Sequence, residues 1–277
     1  DSEGIWTEGK VFLGSRRLAI FDLNKRSDQP MHSLCHRYII IFNGSIYNYK
    51  ILRKYLIDNN IKLKTHSDTE VVLELFALEG PRMLSKLEGM FAFVIWDCKK
   101  KEGFAARDPF GIKPLYIGTN LEGVILSSQV KTLLSTKLIS KDKDKNSQFS
   151  FWNLGYVIEP RTWFKNIKTL KAGSYIHIKD GKIISEIQWY DLNKNWIIAD
   201  SIKQKITKKK FNKIIKDSVV ASVKKHLIAD VPIGIFLSSG IDSTIIASIA
   251  SSNSKKKITA ITVSFESFDG SEYDEVS

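Results

Sequence analysis

The stretch Val231-Pro-Ile-Gly-Ile-Phe-Leu-Ser-Ser-Gly-Ile-Asp-Ser-Thr-Ile-Ile-Ala247 decides how the C-terminal part of the chain folds. Ile233 to Leu237 is a short apolar run with a β-branched start, Ser238-Ser239-Gly240 can turn tightly, and Asp242 opens a run with the composition of a buried helix. The pattern is strand, turn, helix. Such a turn aims backbone N–H groups and the positive end of a helix dipole at one spot, and small hydroxyl residues add donors without blocking approach. A carboxylate beside phosphate is repulsive unless a divalent cation lies between them, so Asp242 points to a magnesium-bound nucleotide rather than a bare anion. An ordinary strand-to-helix turn capped by Ser or Asp has the same spacing, and the Lys of a Walker A loop is missing.

Outward from this turn, Phe211, Ile214, Ile215, Val219, Val223 and Leu227 follow helical spacing and lead into the strand. On the other side, Lys255-Lys-Lys separates the second helix from Ile258-Thr-Ala-Ile-Thr-Val-Ser-Phe265, a second strand. Strand, helix, strand in this order is a parallel unit. Upstream, Asp191 to Ile206 reads as a polar connector.

Composition narrows the class. The 277 residues, 43% hydrophobic, suffice for two modest domains, and no apolar run is long enough to span a bilayer. The acidic, polar start Asp1-Ser-Glu-Gly is no signal peptide, so a cytoplasmic location is expected. Cys35 and Cys98 lie far apart without a CxxC pair, which suggests plain thiols. The formal charge of +12 is mostly lysine alternating with acids, as in Lys141-Asp-Lys-Asp-Lys145. That is the pattern of a solvated surface, and no nucleic-acid partner is expected.

In the N-terminal part, Val11 to Leu23 alternates as half-buried strands do, with Arg16 and Arg17 forced to opposite faces, so that one can face a pocket. Within Tyr38-Ile-Ile-Ile-Phe-Asn-Gly-Ser-Ile-Tyr-Asn48, the Asn43-Gly44 pair taken alone spells a type I′ hairpin turn. Tyr49 to Asn60 reads as an amphipathic helix, and Ser67-Asp-Thr-Glu70 as a capping box opening another. Leu87 to Asp97 reads as a buried strand. Ala106-Arg-Asp-Pro-Phe-Gly-Ile-Lys-Pro-Leu-Tyr116 suggests a buried Arg107–Asp108 pair beside a Pro-Phe-Gly turn.

Taken together these blocks resemble a known family. Ser238-Ser239-Gly240-Ile241-Asp242-Ser243 resembles the SGGxDS pyrophosphate loop of the ATP pyrophosphatases, with Ser239 for a Gly, and its flanks are similar to the asparagine synthetase branch. Asp1 to Trp6, Leu13 to Leu23 with Gln29-Pro-Met31, Phe42 to Asn48, Ser67 to Glu70 and Ala106 to Tyr116 resemble the class II glutamine amidotransferase domain of the same enzymes. Gly123 to Leu134 corresponds to a further block of it, with Gln129 for a Glu.

The resemblance implies an α+β Ntn-hydrolase-like sandwich over 1–190, a connector over 191–206, and the start of an α/β parallel-sheet ATP-pyrophosphatase domain over 207–277. It implies a fragment shortened at both ends, lacking the family's catalytic N-terminal Cys, which uses its own α-amino group as base. Asn43 and Gly44 would form the oxyanion hole. Arg17, Leu18, Ala19, Ile20, Phe21, Asn43, Gly44, Ser45 and Asp68 would line the glutamine site, with Arg17 on the carboxylate and Asp68 on the amino group. Ser45 stands where the family has a Glu, and a neutral hydroxyl does not replace that charge. Leu237, Ser238, Ser239, Gly240, Asp242, Ser243 and Val263 would hold ATP, with Asp242 on Mg²⁺.

The implied reaction adenylates aspartate with MgATP and displaces AMP with ammonia from glutamine. The implied partners are small molecules, glutamine, aspartate and ATP, with no membrane, and a homodimer stays open. Two alternatives stand beside this reading. One is a ligase for another carboxylate in polysaccharide or secondary metabolism, with a weakened glutaminase site. The other is a degenerate amidotransferase scaffold that only binds partners.

Overall fold

The computed structural model describes residues 1–201, 206–254, 257–264, 266–268 and 270–271. The chain divides into two compact units, Asp1–Ile202 and Lys203–Ser277.

The first unit opens with a hairpin of β1 (Ser2–Glu8) and β2 (Val11–Arg17), in register from Ser2 opposite Arg17 to Glu8 opposite Val11. The alternation extending to Leu23 does not continue as strand. The chain leaves the hairpin at Arg17, whose guanidinium folds onto the carbonyls of Phe21 and Asp22 at 2.6 and 2.8 Å and closes 18–22 into a loop. Next come β3 (Met31–His32), β4 (Tyr38–Ile46), α1 (Tyr49–Asp58) and α2 (Asp68–Glu79). The chain continues through β5 (Gly89–Asp97), β6 (Glu102–Arg107), β7 (Tyr116–Thr119), β8 (Val124–Ser127), α3 (Val130–Ser135) and α4 (Lys145–Leu154). It closes with β9 (Ile167–Thr169), β10 (Ser174–Lys179), β11 (Lys182–Gln188) and α5 (Leu192–Ser201).

Six of these strands form one antiparallel sheet in the order β11-β10-β6-β5-β4-β3. Side chains alternate across it, and each face finds a different partner. On one face Phe93 and Phe104 meet α2, where the Phe76 and Phe104 rings lie 4.8 Å apart. On the other, Ala92, Ala105 and Ile176 pack against Ile117 of the three-stranded sheet β8-β7-β9 and against Leu115 and Leu170, which adjoin the ends of its strands. The outer face of that second sheet, with Tyr116 and Ile125, is covered by Leu133 and its neighbours on α3. The layer order is helix, sheet, sheet, helix. This is the α+β sandwich expected of an Ntn hydrolase. Removing a buried ring such as Phe93 would cost about 3–5 kcal/mol.

Three local expectations are corrected by this architecture. Asn43-Gly44 is not a hairpin turn: β4 runs unbroken from Tyr38 to Ile46, with Asn43 opposite Ala92 and Gly44 opposite Phe91 on β5. Glycine is needed there for close approach, since an added Cβ would run into the Met90 carbonyl oxygen and stand 2.8 Å from Phe91 Cα. Arg107 and Asp108 do not pair with each other. Arg107 turns to Glu159 at 2.9 Å and to the Leu170, Lys113 and Gly111 carbonyls. Asp108, fully buried, accepts the N–H groups of Phe91, Phe110, Ile112 and Lys113 at 2.9–3.2 Å. Finally, the polar connector from Asp191 carries α5, because Asp191 accepts the Asn193 and Lys194 N–H groups and caps a helix there. Residues 202–205 of that connector lie outside the described residues.

The second unit contains α6 (Lys208–His226), β12 (Gly234–Phe236), α7 (Ile241–Asn253) and β13 (Thr259–Ile261). Thr207 caps α6 by accepting the Lys210 N–H. Strands β12 and β13 pair in parallel, Gly234 opposite Thr259 and Phe236 opposite Ile261, with α7 as the crossover. The strand-helix-strand order read over 233–265 is met, with both strands shorter than expected: 234–236 within 233–237 and 259–261 within 258–265. Lys255, Lys256, Phe265 and Tyr273 to Val276 lie outside the described residues. Among the described residues no helix is long and apolar enough to cross a membrane.

Candidate active site and nucleotide turn

In the first unit the implied amide-site residues converge from β2, β4 and the start of α2. Arg16 and Arg17 do face opposite ways: the Arg16 side chain is 89% exposed and that of Arg17 is 9% exposed. Both Nη2 hydrogens of Arg17 are committed to the Phe21 and Asp22 carbonyls, and Nη1 lies 3.5 Å from Asp28 Oδ1. Its Nε–H and one Nη1 hydrogen remain for another acceptor. Within the loop, Leu18 is exposed, the Ala19 N–H donates to Asp1 Oδ2 at 2.8 Å, and Ile20 is half-buried. Phe21 is buried against the Tyr49 ring.

Asp68 is buried at the first turn of α2, and its Oδ2 accepts the Ile46 N–H from β4 at 3.0 Å. Burial pushes its carboxyl up to about 6, against the N–H groups of Ile46, Thr69 and Asp68 itself and the attraction of Arg17. The helix start is fixed by Ser67, whose Oγ accepts the Thr69 N–H at 3.1 Å. Glu70 does not complete the expected capping box: it reaches back to the Lys64 and Thr65 N–H groups, both at 2.7 Å, because Thr65 Oγ1 already takes the Ser67 N–H.

Asn43 and Ser45 share one face of β4 by the two-residue period. Asn43 is exposed, and Ser45 is buried. On the edge of β4 away from β5, the Phe42 N–H goes to Gln29 Oε1 at 2.7 Å and the Ile46 N–H goes to Asp68. The Gly44 N–H shares that edge, between the two.

Two residues of this region carry no obvious signal in the sequence. Asp22, at φ +43°, accepts the His66 N–H at 2.7 Å and the Asn24 side-chain amide at 2.8 Å, and pairs with Arg26. Burial opposes its charge, yet these donors hold its carboxyl well below the usual carboxylate range. It ties the Arg17 loop to the residues just before α2. Gln29 is the second; only its place in the Gln29-Pro-Met31 block hints at a role.

In the second unit, Ser238, Ser239 and Gly240 form the turn between β12 and α7. Ser243 Oγ lies 3.0 and 2.9 Å from the Ser238 and Gly240 carbonyls, which share its single hydrogen, and accepts the Ser238 N–H at 3.2 Å, which locks the turn. The Leu237 N–H donates to the Ile261 carbonyl at 2.9 Å, which ties the strand end to β13. Gly240 occupies the cap position of α7, and no side chain caps the N–H groups of its first turn. Asp242 lies exposed in that first turn, and Val263 is exposed beyond β13. Among the described residues no three His, Cys, Asp or Glu side chains could hold a metal together. A single carboxylate by an uncapped helix start fits magnesium that arrives on a nucleotide's phosphates.

Residues 1–190 match the glutamine amidotransferase domain family and residues 215–277 the asparagine synthase family. The chain is 37% identical to asparagine synthetase (glutamine-hydrolyzing) 1 of Bacillus subtilis, over 90% of this chain and 38% of that protein. It is 32% identical to asparagine synthetase B (glutamine-hydrolyzing) of Escherichia coli, over 93% of this chain and 40% of that protein. Glutamine phosphoribosylpyrophosphate amidotransferase of B. subtilis superposes with a TM-score of 0.47 at 18% identity, over 92% of this chain and 52% of that one. The chain spans less than half the length of both curated relatives. It belongs to the glutamine amidotransferase domain family, and its residues 215–277 follow the asparagine synthase pattern.

Proposed function

We propose that this chain belongs to a cytoplasmic, glutamine-dependent asparagine synthetase. Residues 1–190 would form the amide-hydrolysing domain, 191–206 the connector, and 207–277 the opening of the ATP-using domain. The observation that carries the reading is the edge of β4: a glycine amide lies beside Asn43, between N–H groups held by Gln29 and Asp68.

In this reading glutamine enters with its carboxylate on the free Nε–H and Nη1–H of Arg17, along the loop Leu18 to Phe21, and its ammonium beside Asp68. An N-terminal cysteine of the full-length protein attacks the side-chain carbonyl carbon. Electrons move onto the oxygen, where the Gly44 N–H and the Asn43 side-chain amide donate to it. Two donors fixed in advance need no reorganisation as that charge develops, which is where most of the acceleration arises. Collapse of the adduct breaks the C–N bond and releases ammonia, its nitrogen taking the proton that the α-amino group removed from the thiol, and water then hydrolyses the thioester to glutamate and the free cysteine. Ser45 leaves this pocket with one acid where the family has two, so glutamine is held more weakly.

For the second unit, the Ser238–Ser243 turn and the uncapped start of α7 would cradle ATP phosphates, with Leu237 and Val263 near the nucleoside and Asp242 binding Mg²⁺. MgATP supplies activation of a carboxylate as an acyl adenylate, turning a poor leaving group into AMP. Ser243 keeps the turn in shape and Asp242 offsets the cation's charge. The test is the full-length protein with glutamine, aspartate and MgATP. Asparagine, glutamate, AMP and pyrophosphate formed in equal amounts support the reading, and ADP in place of AMP defeats it.

A further inference from the structure

Gln29 is buried, 6% exposed, and has none of the roles assigned above. Its Oε1 accepts the Phe42 N–H at 2.7 Å, and its Nε2 donates to Thr69 Oγ1 on α2 at 3.4 Å. The pairing of β3 with β4 covers only Ile39 and Ile40, so from residue 41 onward β3 no longer lies beside that edge. N–H groups on one edge of a strand recur every second residue. The Phe42 N–H is taken by Gln29, the Ile46 N–H by Asp68, and the Gly44 N–H lies between them.

We infer that Gln29 is a positioning residue for the amide site. It replaces the missing strand partner at Phe42 and braces β4 against the first turn of α2. It thereby sets the direction of the two donors that follow, Asn43 and Gly44. The inference rests on the reading of those two residues as oxyanion donors. Gln29 touches neither the substrate nor the reacting atoms, so its loss acts on the rate of the chemical step. Arg17 and Asp68, which hold the far end of glutamine, stay in place. A misplacement of about 1 Å in such a donor costs up to roughly a hundredfold in rate.

Two substitutions separate bonding from packing. Gln29→Met keeps the volume and removes both hydrogen bonds. Gln29→Glu keeps an acceptor for the Phe42 N–H, and its second oxygen can accept from the Thr69 hydroxyl, which rotates to suit. In the full-length protein, Gln29→Met should lower kcat for glutamine hydrolysis about tenfold or more, with KM within about twofold. Gln29→Glu should stay within about threefold of wild type, and ammonia-driven synthesis should be unchanged in both. Amide hydrogen exchange over residues 38–46 should quicken in Gln29→Met and not in Gln29→Glu.

Wild-type kcat in Gln29→Met, equal loss in both variants, or a change confined to KM would overturn the inference. A wild type that hydrolyses no glutamine would overturn the amide-site reading. Faster exchange in Gln29→Met alone would then still identify Gln29 as the brace of β4.

Discussion

Replacing Asp68 with Asn should change how stability depends on pH, and the size of the effect follows from its burial. In the unfolded chain an aspartate titrates near 4; in the folded chain burial pushes Asp68 up to about 6. Below pH 4 both states keep the proton and the group carries no penalty. Between 4 and 6 the unfolded chain releases it first, so stability present at low pH is lost as pH rises through the folded value. Two units at 1.36 kcal/mol each amount to about 3 kcal/mol, all of it missing above pH 6. Asp68→Asn cannot titrate. The stability of wild type minus that of the variant should therefore fall by about 2 kcal/mol from pH 4, where the unfolded carboxyl is already half ionised, to pH 7, whatever constant offset the Asn amide adds. All six tryptophans lie within Asp1–Ile202, so urea unfolding followed by tryptophan fluorescence reports that unit. A difference that is flat with pH, or one that grows in favour of wild type, would refute the reasoning. The second result would mean that Arg17 outweighs burial. In the full-length protein a substrate ammonium beside Asp68 would favour the carboxylate, so the glutamine KM should rise as pH falls below about 6.

Three further outcomes are expected. Ser45→Glu restores a charge-assisted contact worth about 1.5–3 kcal/mol, so the glutamine KM should drop roughly ten- to a hundredfold while ammonia-dependent synthesis is unchanged; an unchanged KM would mean that another acid serves the pocket. Gly44→Ala forces a methyl group onto the β5 backbone, and urea unfolding should show a loss of about 1–3 kcal/mol together with lost glutamine hydrolysis. Asp242→Asn should abolish aspartate-dependent ATP–pyrophosphate exchange in the full-length protein without altering its circular dichroism, and undiminished exchange would remove that carboxylate from the mechanism.

What could be read from the sequence was local. The strand, turn and helix from Ile233 onward were legible because β-branched residues, small turn residues and a helical apolar run follow in order, and β12 and β13 do pair in parallel. That Arg16 and Arg17 point to opposite faces followed from the two-residue period; that Arg17 is the inward one came only with the family resemblance. What failed depended on distant partners. Asn43-Gly44 has the chemistry of a turn, but Gly44 is there because the backbone of Met90 and Phe91 comes too close for a Cβ, and φ there is not positive. Arg107 was expected to choose its neighbour Asp108, yet its acceptor Glu159 is 52 positions away, and Asp108 is saturated by backbone donors. The helix over Leu192–Ser201 was hidden because Trp196, Ile197 and Ile198 are adjacent rather than spaced by a turn. Asp22 and Gln29 were missed for a related reason: each holds a backbone N–H whose position only the folded chain defines.

The most direct test of the account is the fate of the glutamine side-chain nitrogen. Full-length protein supplied with amide-¹⁵N glutamine, aspartate and MgATP should place ¹⁵N in the asparagine side chain. Asn43→Ala should slow that transfer about a hundredfold or more, while incorporation from ¹⁵N-ammonium continues at the wild-type rate. Loss of incorporation from both sources in Asn43→Ala, or label transfer from glutamine unaffected by it, would contradict the assignment of β4 as the amide site.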